Sequence, residues 1–383
     1  GQEFNLKVGE DNLTGSAGDD VFKALVAEQN GGGTANTLEN IDKLDGGAGS
    51  KDTLTATLDG GSAAPLLNSV ESVLVRFASA ATLDLANTTG VGSVTVNSST
   101  GAGTVTNVGD VANLSVRNQK QDATFVGNTA TSQNLNLDTF GDADTTKTVI
   151  LDNGATTLNL SANNAFAIIG GLNSVETLSV EATGSNVITQ NSGAATTAAT
   201  ITGTGSVELV TPFTVLETLN ATDNSGGVTA TVNGAAVTVD GGSGNDDITY
   251  VAALAAEAAV TLGGGDDSFT IAAASTAGST VDAGEGNDTL AVTDGTFLNA
   301  DAADVYSNFE TLEIGGGQGT YDMENLSGLT AVTIGALLAG NADITNAVAD
   351  TTITVNAEAE TDLVLGNDLT YALADATGTA DAA

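Results

Sequence analysis

The chain has 383 residues, 48 acidic and 8 basic side chains, a net charge of −40, and no Cys, His or Trp. These counts exclude disulfides, zinc sites built on His or Cys, and catalysis by thiol or imidazole groups, and the negative charge opposes binding to nucleic-acid phosphates. All eight bases lie at or before Lys147, so residues 1–147 carry a charge of −10 and residues 148–383 carry −30. Such a chain needs a neutralising partner in order to compact, and the simplest one is a cation.

Short strands are predicted through the middle of the chain. Six segments alternate apolar residues with Thr, Ser, Asn or Asp and then reach a turn-forming residue: 81–87, 92–99, 112–118, 133–139, 156–163 and 176–182. Alternation of this kind indicates half-buried strands. Strand centres recur roughly every 10 to 12 residues, which is typical of an all-β sandwich, barrel or solenoid.

One strand type recurs along the chain. LNSVESVLV (67–75) and LNSVETLSV (172–180) are nearly identical, and 214–221, 306–314 and, more loosely, 39–47 share their core. Repetition of one strand favours an all-β fold of short strands stacked as a β-solenoid or β-roll, although tandem Ig-like modules would also repeat a strand. We expect the Glu of this motif to face solvent, at Glu71, Glu176, Glu217 and Glu310.

Helices are expected to be rare. Only 251–260 and 301–310 have a composition that favours a helix, and the first is equally compatible with a tight coil. No run of about 18 apolar residues occurs, so no transmembrane segment is expected.

A Gly/Asp pattern occurs three times between residues 238 and 293. The copies are GGSGNDDI (241–248), LGGGDDSF (262–269) and AGEGNDTL (283–290), each with Gly second and fourth, Asp sixth and a large apolar residue eighth. Successive copies are 21 residues apart at the aspartates, Asp246, Asp267 and Asp288. Two equal steps, with four positions in register, indicate consecutive coils of one repeat.

The composition of these loops suits a calcium ion. Gly accepts positive φ and leaves backbone carbonyls uncovered, Asp supplies an anionic oxygen, and calcium takes six to eight oxygens of both kinds. A cation would fit between two stacked loops with an Asp from each, whereas ordinary Gly/Asp turns need no metal. The predicted calcium-binding residues are Gly241, Gly242, Gly244, Asn245, Asp246, Gly263, Gly265, Asp266, Asp267, Gly284, Gly286, Asn287 and Asp288.

These loops resemble the RTX nonapeptide, GGxGxDxUx with U apolar, of the calcium-binding β-roll. Two further copies lie near the N-terminus: GSAGDDVF (15–22), with Ser16 in place of the second Gly, and LDGGAGSKDTL (44–54), with one extra residue before its Asp. The 21-residue step replaces the nonapeptide step and implies one calcium loop per coil with a plain turn opposite. The resemblance adds Gly15, Gly18, Asp20, Gly46, Gly47 and Asp52 to the predicted calcium-binding residues.

RTX-like repeats occur on proteases, lipases, toxins, adhesins and surface-layer proteins. The chain has no HExxH and no GxSxG, which excludes the protease and the lipase. A carboxylate-pair glycosidase is disfavoured because aromatic residues, which would form sugar platforms, are only 4% of the chain. We therefore expect no enzyme.

The overall composition, the recurring strand and the opening VGEDNLTGSAGDDVF (8–22) resemble the calcium-dependent surface-layer proteins of Gram-negative bacteria, the Caulobacter type in particular. The resemblance implies type I secretion without a cleaved N-terminal signal, an extracellular location at the cell surface, and a two-dimensional lattice of identical chains held by calcium. It also implies attachment to a cell-surface polysaccharide through a region not recognisable here. The alternative is a stalk or binding segment of an RTX adhesin, with the same calcium chemistry.

The sequence divides into four predicted segments. Residues 1–60 form an RTX-like calcium-binding segment, 61–237 a solenoid-like stack of strands, 238–300 an RTX-type β-roll segment and 301–383 a C-terminal β segment.

Overall fold

Parallel strand pairing organises the chain. The computed structural model describes residues 1–152, 154–190, 194–234, 237–298, 302–335, 340–355 and 369–373. The chain is 53% strand and 2% helix, and it forms two compact units, Gly1–Thr196 (unit 1) and Thr197–Ala383 (unit 2). Each unit is a β-solenoid, and about 16 parallel coils are divided between them. The predicted fold class is confirmed, while the division into four segments stays a prediction.

Unit 1 contains strands β1 to β21 among its described residues. Their bounds are β1 Glu3–Asn5, β2 Asn12–Thr14, β3 Val21–Ala24, β4 Ala27–Glu28, β5 Thr34–Ala35, β6 Lys43–Asp45, β7 Thr53–Asp59, β8 Ser62–Ala63, β9 Leu66–Asn68, β10 Ser72–Ser79, β11 Ala81–Asp84, β12 Thr88–Thr89, β13 Ser93–Asn97, β14 Gly103–Thr106, β15 Asn113–Gln119, β16 Ala123–Phe125, β17 Ser132–Phe140, β18 Lys147–Leu151, β19 Thr157–Gly170, β20 Thr177–Thr183 and β21 Ser185–Gln190.

Unit 2 contains strands β22 to β38 and one α-helix among its described residues. Their bounds are β22 Ala198–Gly203, β23 Ser206–Phe213, β24 Thr218–Asn220, β25 Val228–Val232, β26 Thr238–Asp240, β27 Asp247–Tyr250, β28 Ala259–Gly264, β29 Ser268–Ile271, β30 Thr280–Glu285, β31 Thr289–Val292, α1 Ala302–Val305, β32 Tyr306–Ser307, β33 Thr311–Ile314, β34 Gly319–Asp322, β35 Ala331–Ile334, β36 Ala342–Ala347, β37 Thr352–Val355 and β38 Leu369–Leu373. Two 3-10 turns, Gly295–Phe297 and Met323–Asn325, accompany them.

The coils of unit 1 pair strand on strand in the same direction. One sheet runs in the order β1, β3, β7, β10, β13, β15, β17, β19, β20, and a second runs β8, β11, β14, β16, β18, β19, β21. The long strand β19 belongs to both sheets. The first coils also contribute strands to a third parallel sheet, in the order β2, β6, β9, β12, and β4 pairs with β5 in the one antiparallel strand pair of the described residues.

The coils of unit 2 repeat this arrangement. Strands β22, β24, β26, β28, β30 and β32 form one parallel sheet, and β23, β25, β27, β29, β31, β33, β35 and β37 form the other. Strands β34, β36 and β38 form a small third sheet.

Stacked apolar columns form the core of each unit. Residues paired in register across successive coils point to the same side, so alternation along one strand becomes a continuous buried row through the stack. In unit 1 the row passes through Val94, Leu114, Leu135, Leu160 and Val180, each at most 2% exposed. In unit 2 it passes through Ile248, Phe269, Leu290, Leu312 and Val332, also at most 2% exposed.

All six strands predicted from alternation are present, as β11, β13, β15, β17, β19 and β20. Segment 251–260 contains no helix, and the helix expected within 301–310 is limited to the four residues of α1. Among the residues that the structure describes, we find no helix with the length and apolarity needed to span a bilayer.

Replacing Leu137 with Ala tests the inward row of β17. Leu137 is fully buried and pairs with Val116 and Ala162. We expect Leu137→Ala to destabilise the protein by about 2–5 kcal/mol, because the rigid stack leaves a cavity. The control Asn136→Ala, on the exposed face of the same strand, should change stability by about 0.5 kcal/mol or less. Urea unfolding midpoints measure both, and equal midpoints would contradict the inward row.

Candidate calcium loops

The RTX-like loops of unit 2 lie where each coil passes from one sheet to the other. The three loops join β26 to β27, β28 to β29 and β30 to β31. Ile248, Phe269 and Leu290 pair in register across these coils. One Gly/Asp loop therefore occurs per coil, as the 21-residue step predicts.

Glycines allow these loops to stack closely. Gly263 and Gly284 have φ of +106° and +103°, a region that side chains disfavour. A Cβ on Gly284 would lie 1.9 Å from the carbonyl oxygen of Gly263, and a Cβ on Gly263 would lie 2.2 Å from that of Gly242. The same close approach to backbone of a neighbouring coil applies to Gly241, Gly242, Gly244, Gly265 and Gly286.

The three predicted aspartates form one buried column, which we call the aspartate column: Asp246, Asp267 and Asp288, at most 2% exposed. The backbone N–H of Asp246 donates to Oδ1 of Asp267 over 2.7 Å, and the N–H of Asp267 donates to Oδ1 of Asp288 over 2.7 Å. Each carboxylate therefore satisfies a backbone donor of the preceding coil. This hydrogen-bonding role was not expected from the sequence.

A second, exposed row runs beside the aspartate column. The N–H of Asp266 donates to Oδ1 of Asn245, and the N–H of Asn287 donates to Oδ1 of Asp266, both over 3.0 Å. These three predicted residues are solvent-accessible, so water competes for any ligand that they would bind.

The N-terminal copies form an equivalent column in unit 1. Asp20 and Asp52 are fully buried, and the N–H of Asp20 donates to Oδ1 of Asp52 over 2.5 Å. The pairing of Val21 with Thr53 fixes this register, so the extra residue before Asp52 is absorbed within the loop. Of the predicted glycines here, Gly15, Gly46 and Gly47 approach neighbouring backbone closely, whereas Gly18 is less crowded.

Both columns end on the Glu of the recurring strand motif. The N–H of Asp288 donates to Oε2 of Glu310, and the N–H of Asp52 donates to Oε2 of Glu71, each over 2.8 Å. Both glutamates are half-buried, so the expectation that they face solvent is wrong, whereas Glu176 and Glu217 are exposed as expected. Sequence spacing could have predicted both contacts, because Glu310 and Glu71 each follow the last aspartate of their column by about one coil.

Asp42 is a buried acid that the sequence motifs do not predict. Its carboxylate is fully buried and accepts the N–H groups of Asp11 over 2.9 Å and Glu39 over 2.7 Å. It lies within the loose strand copy at 39–47, before the Gly-rich loop that begins at Gly46.

The columns leave anionic oxygens without partners. Among the described residues, Oδ2 of Asp52, Asp267 and Asp288 is buried and accepts no hydrogen bond. A buried acceptor without a donor costs about 1–3 kcal/mol, and more when it is charged. These three oxygens are therefore where a cation would relieve the greatest strain.

The electrostatics of unit 2 oppose ionisation of the column. Burial raises the pKa of Asp246 and Asp288 and raises that of Asp267 to about 6, against the lowering effect of the N–H groups they accept. Neighbouring acids raise the pKa of Asp267 further. In unit 1, by contrast, the hydrogen bond from the N–H of Ser16 lowers the pKa of Asp20.

The donor set fits calcium in its chemistry. Within the described residues, no three acidic side chains cluster closely enough to hold a metal on carboxylates alone. Asp267 and Asp288 each have one carboxylate oxygen that accepts no hydrogen bond, and backbone carbonyl oxygens of the neighbouring coil lie close to the loop glycines. A hard cation that accepts a mixture of carboxylate and carbonyl oxygens is calcium.

Comparison with known protein families finds no family that matches this chain. A search of curated proteins finds no match either. What the loops do must therefore be inferred from their own geometry.

Replacing Gly284 with Ala tests the close stacking. We expect Gly284→Ala to cost about 1–3 kcal/mol from backbone strain alone, with a further cost from the clash with the carbonyl of Gly263. The control is Gly264→Ala in the preceding coil, where a Cβ meets nothing nearer than 3.8 Å and φ is not positive. Thermal midpoints measure both variants, and equal destabilisation would show that the loops are not closely stacked.

The pH dependence of the metal-free protein tests the buried charge of Asp267. Its folded pKa of about 6 lies above the ordinary 3.8, so the stability it contributes is full below 3.8 and is lost as pH rises through 6. We expect Asp267→Asn to be more stable than the parent above pH 6 and to lose that advantage as pH falls toward 4. Thermal midpoints in EGTA across this range measure it. A difference that does not change with pH would contradict a raised pKa.

Proposed function

We propose that the chain is a calcium-dependent structural protein of a bacterial surface layer, with no catalytic role. The observation that carries the proposal is the set of buried carboxylate oxygens without partners in stacked, closely packed Gly/Asp loops. A chain of net charge −40 that stacks such groups in register needs cations to offset them.

Calcium would act on folding. The column aspartates repel one another one coil apart, and burial raises their pKa because the ionised form is poorly solvated. A cation beside Asp267 and Asp288 would favour the ionised, stacked arrangement over the open chain, so its binding free energy becomes folding free energy. At free calcium about 100 times the dissociation constant, one such site contributes about 2.7 kcal/mol.

Assembly at the cell surface is supported by charge and composition. The absence of Cys and His agrees with a scaffold that has no redox or imidazole chemistry. Unit 2 carries no basic residue, so copies of it repel one another unless cations lie between them. Calcium would thus serve both within the coils and between neighbouring chains.

Asp267→Asn and Asp247→Asn together test the calcium role. Both substitutions remove one carboxylate charge. Asp267 lies in the buried aspartate column, whereas Asp247 is exposed and directly follows Asp246 in the preceding coil. We expect calcium to raise the thermal midpoint of the parent and of Asp247→Asn by similar amounts, and that of Asp267→Asn by clearly less. Calorimetry in millimolar calcium and in EGTA measures this. Equal increases of the thermal midpoint by calcium in all three proteins would indicate that the loops are ordinary turns that bind no calcium.

Electron microscopy of the same samples tests assembly. Ordered sheets in calcium and dispersed particles in EGTA are the expected result. Single elongated particles in calcium would instead favour the stalk of an adhesin, and calcium-independent sheets would overturn calcium control of the lattice.

A further inference from the structure

The glutamates at the ends of the two columns occupy the register position of the aspartates. The residues that follow Asp288 and Glu310 pair in register, which places these two acids in adjacent coils of unit 2. In unit 1 the residues that follow Asp52 and Glu71 pair in the same way. Each glutamate therefore continues its column for one coil beyond the last Gly/Asp loop, although neither belongs to such a loop.

The carboxylate oxygens without partners lie toward the glutamate end of each column. In the first aspartate of each column, Asp20 or Asp246, both carboxylate oxygens accept a backbone N–H. Oδ2 of Asp52 and of Asp288, the aspartates next to the glutamates, is buried and accepts no hydrogen bond, and the same holds for Asp267 in the middle of its column. A buried anionic oxygen without a donor therefore lies beside the terminal glutamate in both units.

No basic side chain neutralises these terminal pairs of acids. Residues 148–383 contain neither Lys nor Arg, so Asp288 and Glu310 have no base in their unit. In unit 1, none of the ion pairs found within the described residues includes Asp52 or Glu71. A single backbone N–H lies between the two carboxylates of each pair, over 2.8 Å to the glutamate Oε2 in both cases. Because like charges in adjacent coils repel one another, the neutralising charge has to come from solution.

The terminal pairs are also the part of each column that solvent reaches. Glu310 and Glu71 are half-buried, whereas Asp267 is 2% exposed and lies between two other acidic coils. A carboxylate has about four acceptor positions, and the backbone N–H uses one of them on each glutamate, so oxygen ligands remain. The column ends therefore combine a buried oxygen that lacks a partner with a second carboxylate in contact with solvent.

We propose that Glu310 and Glu71 are cation ligands, each forming with the aspartate of the preceding coil a carboxylate pair that holds one calcium ion at the end of its column. Calcium accepts carboxylates in flexible geometry, whereas magnesium demands near-octahedral geometry and retains its waters. The inference rests on the proposed role of calcium and extends it to residues outside the Gly/Asp loops.

The glutamate of the recurring strand motif becomes a ligand only where an aspartate occupies the same position one coil earlier. Glu217 carries the same motif in unit 2, but it is exposed, and the residue aligned with it in the preceding coil is Thr197. Glu217 is therefore not expected to bind a cation, and it provides the matched control.

Glu310→Gln, Glu71→Gln and the control Glu217→Gln test the proposal by equilibrium dialysis against calcium. Glutamine keeps an oxygen that can accept the backbone N–H of the preceding aspartate and removes only the charge, so a glutamate that merely ends the column would leave calcium binding unchanged. We expect each of the first two substitutions to raise the dissociation constant of one calcium ion at least about tenfold. The double variant should weaken two ions, and Glu217→Gln should match the parent.

The outcomes separate this inference from the proposed function. A parent protein that binds no calcium would overturn both. Calcium binding by the parent that is unchanged in Glu310→Gln and Glu71→Gln, or equally weakened in Glu217→Gln, would overturn the glutamate ligands alone and leave the Gly/Asp loops as the calcium sites. Circular dichroism in calcium verifies that each variant is folded. Since the two glutamates lie in different units, either variant decides the question if the other does not fold.

Discussion

The in-register pairing of parallel strands in successive coils is the constraint on which the rest of each unit depends. Parallel strands pair residue for residue, so each side chain lies about 4.8 Å from its equivalent in the next coil. For Leu on Leu, as at Leu114 and Leu135, this gives a continuous dry core. For Asn on Asn it gives amide ladders, since an amide both donates and accepts. For Asp on Asp it stacks like charges one coil apart.

The hydrogen bonds of the aspartate column do not remove this repulsion between like charges. Each carboxylate accepts the backbone N–H of the preceding coil, which satisfies a donor that the loop would otherwise bury. The second oxygen of Asp267 and of Asp288 has no donor, and the charges remain stacked. The loops are therefore competent to fold as turns and yet under electrostatic strain, a state whose energy a bound cation lowers.

Much of this arrangement follows from the sequence, because register converts spacing into contact. The 21-residue step placed Asp246, Asp267 and Asp288 in one row, and alternation located six strands. Of the two alternatives for 251–260, the structure has the coil and not the helix, because the preference of an Ala-rich segment for helix is weaker than the requirement that the chain return to the neighbouring coil. The exposure of Glu71 and Glu310 was predicted wrongly because alternation shows only on which side of a strand a residue lies. It does not show that a backbone N–H of the neighbouring coil lies within hydrogen-bond distance of the side chain.

The distribution of Asn and Asp over the two kinds of surface carries a further consequence. On the open face of unit 1 the stacked polar row is neutral, Asn113 to Asn159, and its hydrogen bonds close without help from solvent ions. In the loops of unit 2 the equivalent row is acidic and buried, although an Asn there could accept the same N–H without adding charge. Burying a charge where a neutral group would serve the backbone equally well weakens the metal-free fold. Three successive buried Asp residues therefore weaken the metal-free fold above the raised pKa of Asp267, and this is the cost that the proposed calcium ion would offset.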